Sequence, residues 1–212
     1  KEFINLDISK QFQNSDFGFV KGLVLSMDSS INDNLSYNMF YTFQEAKGTA
    51  SDPYQSQSSL ASGIEPEIFL VPLDWDQTHT INSALYYQNS KMGLSLISRF
   101  ESGMPYTPIS SDDISSLTKN LSTKPLSWNV DLKSHYFINQ NFKIYFRILN
   151  LFDRLNHINV YTDSGVADRT DQLLQVEGLG LDEHVNTIEK WYNNETFYSK
   201  PRNIEIGLNY VF

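Results

Sequence analysis

The sequence predicts an all-β fold, an antiparallel transmembrane β-barrel, and three observations support this prediction. Apolar and polar residues alternate along several segments of roughly ten residues, the length that a tilted strand needs to cross a bilayer. Tight polar turns alternate with long links, as turns and loops do in membrane barrels. Aromatic residues make up 14% of the 212 residues, which favours strands and membrane interfaces.

Composition narrows the possible functions. The formal net charge of −9 argues against nucleic-acid binding, because phosphates need a basic surface. The absence of cysteine excludes disulfides and thiolate metal sites. No apolar run is long enough for a transmembrane helix. The sequence also has no recognisable signal peptide at its start. An exported barrel must have one, so either the signal peptide has been cleaved or the chain begins inside a longer protein, and we expect the second.

The last segment shows the clearest alternation. One face carries Ile204, Ile206, Leu208, Tyr210 and Phe212. The other face carries Asn203, Glu205, Gly207, Asn209 and Val211. This pattern predicts a strand with one face against lipid, which stops on an aromatic residue.

The same alternation predicts seven strands and a weaker eighth. The seven lie near 18–28, 33–45, 76–87, 92–102, 126–137, 142–152 and 202–212, and the eighth at 2–9. Tight polar turns at Ser29–Asp33, Gln88–Lys91 and Asn139–Asn141 alternate with long links at 46–75, 103–125 and 153–201. All the short turns fall at one end, which we predict to be periplasmic, with the long links outside.

Two other folds explain part of the pattern. A soluble β-sandwich that binds carbohydrate also alternates, but its strands average about 5–6 residues and its turns recur every 8–12 or so. A complete barrel of eight strands with an adhesin or structural role is the second alternative. It predicts that the strand at 2–9 pairs with the strand at 202–212.

Three groups of motifs resemble the C-terminal barrel of TonB-dependent outer-membrane receptors. They are the segment 16–26 with the strand 37–44 and residues 46–53; Asp74-Trp75-Asp76-Gln77-Thr78-His79-Thr80-Ile81-Asn82 with Ser102-Gly103-Met104-Pro105-Tyr106; and Asn150-Leu151-Phe152-Asp153-Arg154 with Phe197-Tyr198-Ser199-Lys200-Pro201-Arg202. These motifs spread over nearly the whole chain. The pattern is most similar to receptors with a carboxypeptidase-regulatory-like N-terminal domain, of the kind common in Bacteroidota.

The resemblance implies a receptor of the bacterial outer membrane that imports a scarce large nutrient, such as a siderophore, a cobalamin, a glycan or a peptide. It implies a barrel of about 22 strands with a plugged lumen. Residues 1–212 would supply the last seven or eight strands, without the plug. The implied partners are outer-membrane lipid, the TonB complex through the missing N-terminal part, and the barrel-assembly machinery, whose recognition signal the terminal Tyr210 and Phe212 resemble.

Aromatic residues of the long links are the candidates for ligand contact. They are Tyr54, Phe69, Trp75, Tyr106, Trp191 and Tyr198. For the segment around Trp75 the structural interpretation is favoured: Trp75 lies in an aromatic belt, and Asp76 and Gln77 hydrogen-bond the loop base. Lys143 and Arg147 are predicted to face the lumen, because they share a face with Tyr145. There they are either solvated or paired, with Asp131 or the neighbours of Lys133 as the candidate partners.

The long acidic link allows two further predictions. Residues 163–190 carry seven acidic side chains, which could bind Ca²⁺ through oxygen ligands, although the regular spacing of a calcium loop is absent. A solvated extracellular loop is the favoured interpretation. Apolar residues at helical spacing predict a short amphipathic helix near 182–192, with Asp182 as its N-cap.

No catalytic centre, metal site or cofactor is predicted. The four histidines do not pair at the spacing of a helical zinc site, and no Gly-x-Ser-x-Gly motif occurs. We therefore predict that the protein is not an enzyme.

Overall fold

The structure is a computed structural model that describes residues 17–51, 54, 58, 61–63, 69–109, 119–170 and 194–210. Within these residues the strands are β1 (Gly18–Asn32), β2 (Leu35–Gly48), β3 (Val71–Pro72), β4 (His79–Gln88), β5 (Met92–Glu101), β6 (Pro105–Tyr106), β7 (Ser122–Thr123), β8 (Ser127–Phe137), β9 (Phe142–Leu149) and β10 (Asn203–Tyr210). One turn of 3-10 helix spans Glu195–Phe197.

The long strands form one continuous antiparallel sheet in chain order. The order is β1-β2-β4-β5-β8-β9-β10, with the short β3 paired to the end of β2, while β6 and β7 pair only with each other. A meander of long strands in a single sheet is the arrangement of an up-and-down barrel wall. It does not fit a sandwich, which needs two large sheets packed face to face.

The seven predicted strands are all present, with shifted ends. β1 continues to Asn32, so the predicted turn at Ser29–Asp33 is wrong: the connection is the two residues 33–34, and the Asn32 side chain accepts a hydrogen bond from the Asn34 backbone at 2.9 Å. β9 stops at Leu149 because Asn150 adopts a left-handed φ of 56°. The predicted strand at 2–9 lies outside the described residues.

The start of β4 is also shifted. It begins at His79 rather than at residue 76. The Asp76 N–H donates a hydrogen bond to the Leu73 carbonyl at 2.8 Å, which closes a turn before the strand. The polar residues before His79 therefore belong to the base of the loop.

Register across the sheet separates an apolar face from a polar face. One row runs across six strands through Tyr37, Leu85, Leu96, Leu132, Ile148 and Ile204. On the opposite face, Asn82, Arg99 and Asn129 form one row, and Lys133, Arg147 and Glu205 form another. This confirms the predicted faces of the strands, including the placement of Arg147 on the polar face.

The apolar face is not covered by the described part of the chain. Leu25, Ile206 and Leu208 are more than half exposed. The buried apolar side chains are instead small or lie near the loop end, and Ala46, Val71 and Leu73 form a cluster beside the end of β2. A sheet with one uncovered apolar face needs an apolar environment on that side.

Among the described residues, no helix has the length and apolar character that crossing a membrane requires.

Candidate functional site

The polar face carries charged side chains that pair with each other. Arg99 and Glu101 form an ion pair at 2.5 Å, and Arg147 pairs with Glu205 on β10. The Asn129 side chain donates a hydrogen bond to Asp131 at 2.8 Å. In a closed barrel this face lines the lumen, so the charges next to the loop end are in a position to meet a ligand.

The Asp-Trp-Asp-Gln segment fixes the first long link to the sheet. The buried Asp76 carboxylate accepts a hydrogen bond from the Ala46 backbone at 3.0 Å. Gln77 donates to the Ser102 carbonyl, and the Trp75 indole donates to the Ser51 carbonyl at 3.4 Å. Burial raises the pKa of Asp76 above its ordinary value. These contacts support the structural interpretation of the segment.

The Asn-Leu-Phe-Asp-Arg segment fixes the third long link in the same way. Asn150 and Asp153 both adopt a left-handed backbone, with φ of 56° and 55°, which asparagine and aspartate tolerate better than most residues. The Asn150 amide group donates to the carbonyls of Arg154 and Lys200, at 2.9 and 3.1 Å. The Asp153 carboxylate accepts from the Arg202 backbone at 2.7 Å. The segment therefore ties the departure from β9 to the entry into β10.

The second long link is pinned to the other two. The Asn120 amide group donates to the Pro72 carbonyl at 2.6 Å and to the Asp74 carboxylate at 2.7 Å. The Lys124 ammonium donates to the Ile158 carbonyl at 3.0 Å. The three links thus form one connected layer over the loop end of the sheet, held by polar side chains that bond backbone groups.

A cavity of about 230 Å³ lies at the base of this layer. Its lining includes Arg99, Glu101, Met104, Lys124, Trp128 and His157. Both signs of charge, one imidazole and apolar surface therefore meet at one place, next to the polar face. Sequence reasoning missed this set, although the positions of Arg99 and Glu101 on the polar side of β5 were readable from the alternation.

The predicted ligand-contact residues differ in their exposure. Tyr54, Phe69 and Trp75 are exposed, at 60%, 71% and 46%. Tyr106 is half-buried, and Gly165 lies against its hydroxyl, where an added Cβ would come within 2.4 Å.

Tyr198 packs against the cavity rather than lining it. Its ring meets that of His157 edge-on, with centroids 5.5 Å apart. Burial is the main cause that raises the pKa of Tyr198, and the nearby Asp168 and Tyr161 add to it. Its ring therefore helps to hold His157 at the cavity wall.

Several predictions fall outside the described residues. They are Trp191, Phe212, the helix near 182–192 and most of the acidic segment 163–190. Tyr210 ends the described part of β10, where its ring lies 5.9 Å from that of Phe142. Within the described ranges, no three His, Asp or Glu side chains are grouped so that they could hold a metal ion.

The meander sheet, its two unlike faces and the folded loop layer at one end define the wall of an antiparallel β-barrel. Comparison with solved structures agrees with this fold. The chain is similar to the ferric-catecholate import receptor Fiu from E. coli K12, with a TM-score of 0.52 and 18% identity over 92% of this chain and 21% of that one. No protein-family model matches the sequence, and no curated protein matches it.

Two further solved structures are similar as well. FpvA from P. aeruginosa bound to a heterologous pyoverdine gives a TM-score of 0.53 and 14% identity, and FpvAI in complex with pyocin S2 gives 0.52 and 13%. Each match covers 91% of this chain and 19% of the other. The chain thus spans about a fifth of the length of each of these proteins. The comparisons confirm the predicted barrel fold.

Proposed function

We propose that the chain is part of the wall of a TonB-dependent receptor that imports a scarce large nutrient across the bacterial outer membrane. The observation that carries the proposal is the unbroken apolar row across the sheet from Tyr37 to Ile204, opposite a face of paired charges. An uncovered apolar face on a sheet of this size suits lipid, while the charged face suits a water-filled lumen.

We also propose that further strands and a plug complete the protein. Among the described residues, β1 and β10 each pair with one long strand only and not with each other. A sheet edge that is open in a bilayer leaves backbone groups without partners, so barrels in membranes are closed. The motif resemblance favours a receptor of the carboxypeptidase-regulatory-like type. Such a receptor would contact the TonB complex through its N-terminal part and the assembly machinery through Tyr210 and Phe212.

The loop layer is the proposed ligand-facing part. The cavity beside Arg99, Glu101 and Lys124 offers donors and acceptors of both charges, and the exposed Tyr54, Phe69 and Trp75 of the first long link offer flat apolar contacts. Trp191, Tyr106 and Tyr198 complete the proposed set. A polar, partly aromatic surface of this kind fits a siderophore, a cobalamin, a glycan or a peptide better than a small ion.

Uptake by cells that carry the full-length protein tests the proposal. Radiolabelled ferric siderophore, cobalamin, oligosaccharide and peptide are offered to the wild type, to a strain without the gene and to a strain without TonB. We expect uptake of one class to need both the gene and TonB. We expect Met104→Trp, which fills the cavity, to reduce it while barrel assembly is kept. Assembly without any TonB-dependent uptake would favour the adhesin or structural barrel instead.

A further inference from the structure

A groove opens on the apolar face and shares part of its wall with the ligand-facing cavity, since Arg99, Trp128 and Asn129 line both. It has a volume of about 380 Å³ and runs beside Ile81, Phe100, Leu126, Trp128 and Val130, with Ser98 among its walls. Register places Ile81, Phe100 and Trp128 in one row across β4, β5 and β8. The groove is therefore open on the side that we propose to face lipid, near the loop end of the strands.

The groove has a cation at its loop end. The Arg154 guanidinium lies over the Trp128 ring, 5.2 Å from the centroid. It is held by hydrogen bonds from Nε to Asn156 at 2.9 Å and from one terminal nitrogen to the Leu126 carbonyl at 3.4 Å. In the described part of the chain, no carboxylate lies within ion-pair distance of Arg154.

Three other cations near the loop end do have carboxylate partners. Lys21 and Lys47 both bind the Glu45 carboxylate, at 2.7 and 2.6 Å, and Arg202 faces Asp153. An arginine without a carboxylate, fixed at the edge of a lipid-facing groove, is suited to bind a phosphate through its remaining donors. The groove below it is apolar and has the size of many small-ligand pockets.

We propose that this groove binds a phosphorylated glycolipid of the outer leaflet, with an acyl chain along Phe100 and Val130 and a phosphate on Arg154. The loop end faces outward in the proposed orientation, so the lipid that reaches Arg154 belongs to that leaflet. The inference rests on the proposed membrane location. Ser98 is a small residue of the groove wall, and its hydroxyl lies 2.6 Å from that of Ser83, so each hydroxyl has the other as a hydrogen-bond partner.

Native mass spectrometry of the delipidated full-length protein in detergent tests the proposal. Diphosphoryl lipid A, dephosphorylated lipid A and phosphatidylglycerol are added as probes. We expect the wild type to prefer diphosphoryl lipid A. Arg154→Gln should lose about tenfold in affinity for it, the scale of one charge-assisted contact, and so lose the preference over the dephosphorylated probe. Arg154→Lys should keep part of the preference.

A second variant and a control make the result decisive. Ser98→Leu fills the groove without touching the loops and should weaken both forms of lipid A. Lys21→Gln removes a cation already paired with Glu45 and should change neither. Equal binding of phosphatidylglycerol, or equal losses for Lys21→Gln and Arg154→Gln, would overturn the proposal. Heat-modifiable migration is measured on the same samples: its absence counts against the barrel itself, whereas a normal shift without phosphate preference counts against the groove alone.

Discussion

The side-chain amide of Asn156 bonds both backbone groups of Trp128. Its Oδ1 accepts from the Trp128 N–H at 3.0 Å, and its Nδ2 donates to the Trp128 carbonyl at 2.9 Å. A residue on a neighbouring antiparallel strand would make the same two bonds. The regular pairing of β8 with β9 ends at Leu132 and Ile148, so a side chain from the loop completes the ladder at the start of β8.

Replacing Asn156 should therefore loosen the loop layer. In Asn156→Leu the N–H and the carbonyl of Trp128 both lose a partner in a half-buried place, and each unsatisfied group costs about 1–3 kcal/mol. We expect faster proteolysis of the link after β9 on intact cells and a lower temperature for the gel mobility shift. Asn159→Leu is the control, because Asn159 is exposed and only its backbone N–H is bonded. Equal behaviour of the two variants would contradict the role of Asn156.

A close approach of two backbone segments predicts that Gly103 tolerates no side chain. A Cβ at Gly103 would lie 1.6 Å from the Lys124 carbonyl oxygen, next to the bond from the Lys124 N–H to the Met104 carbonyl at 2.9 Å. Gly103→Ala should open the pair of β6 and β7, which limited proteolysis between residues 103 and 124 would detect. Gly18→Ala serves as the control, since its nearest contact would be an ordinary 3.4 Å. If the link between residues 103 and 124 resisted proteolysis in Gly103→Ala as it does in the wild type, the methyl group would be accommodated and the prediction would be wrong.

The strands could be predicted because their signal is local. Alternation depends only on whether neighbouring residues face lipid or water, so Ile204 to Tyr210 reveal their faces without knowledge of the partner strand. The ends were harder to place. Asn150 leaves the sheet through its left-handed backbone, and Ser29, Ser30 and Asn32 remain in β1 although they are typical turn residues. The second outcome depends on the partner strand rather than on propensity.

The site could not be predicted, because its contacts join distant residues. The sequence suggested Asp131 or the surroundings of Lys133 as partners of Arg147. Asp131 instead accepts from the Asn150 backbone at 2.9 Å, and Arg147 bonds Glu205, 58 positions along the chain. The pinning of Asn120 to Pro72 and Asp74 likewise follows from how three links fold over the sheet. Motif resemblance pointed to the correct segments but not to these bonds.

The buried Asp76 predicts a pH dependence of stability. Burial raises its pKa above the ordinary 3.8, so the folded state holds its proton more tightly than the unfolded state. Stability contributed by this group is therefore present below pH 3.8 and is lost as the pH rises through the raised value. Asp76→Asn keeps an acceptor for the Ala46 N–H and never ionises. We expect its unfolding midpoint to change less than that of the wild type just above pH 3.8.

Two further variants test this assignment. Asp76→Ala removes the acceptor of the Ala46 N–H and should destabilise the protein at every pH, by about 1–3 kcal/mol. Asp28→Asn removes the charge of an exposed strand residue and should leave the pH profile unchanged. A profile for Asp76→Asn that parallels the wild type would show that Asp76 does not cause the dependence.

The two faces of β2 predict opposite outcomes for the same substitution at adjacent positions. Met39 lies on the apolar face, beside Met27 and Ser83, and Asn38 lies on the polar face, beside Asp28 and Ala84. A charge on the lipid face near the midplane costs about 2–4 kcal/mol, whereas the lumen tolerates charge. We expect Met39→Arg to reduce the heat-modifiable, folded fraction of the full-length protein in outer membranes, and Asn38→Arg to assemble normally, with its guanidinium near Asp28. Reversed or equal effects would show that the face of Met39 does not contact lipid. The assignment of Arg99 and Glu101 to the lumen would then be wrong as well.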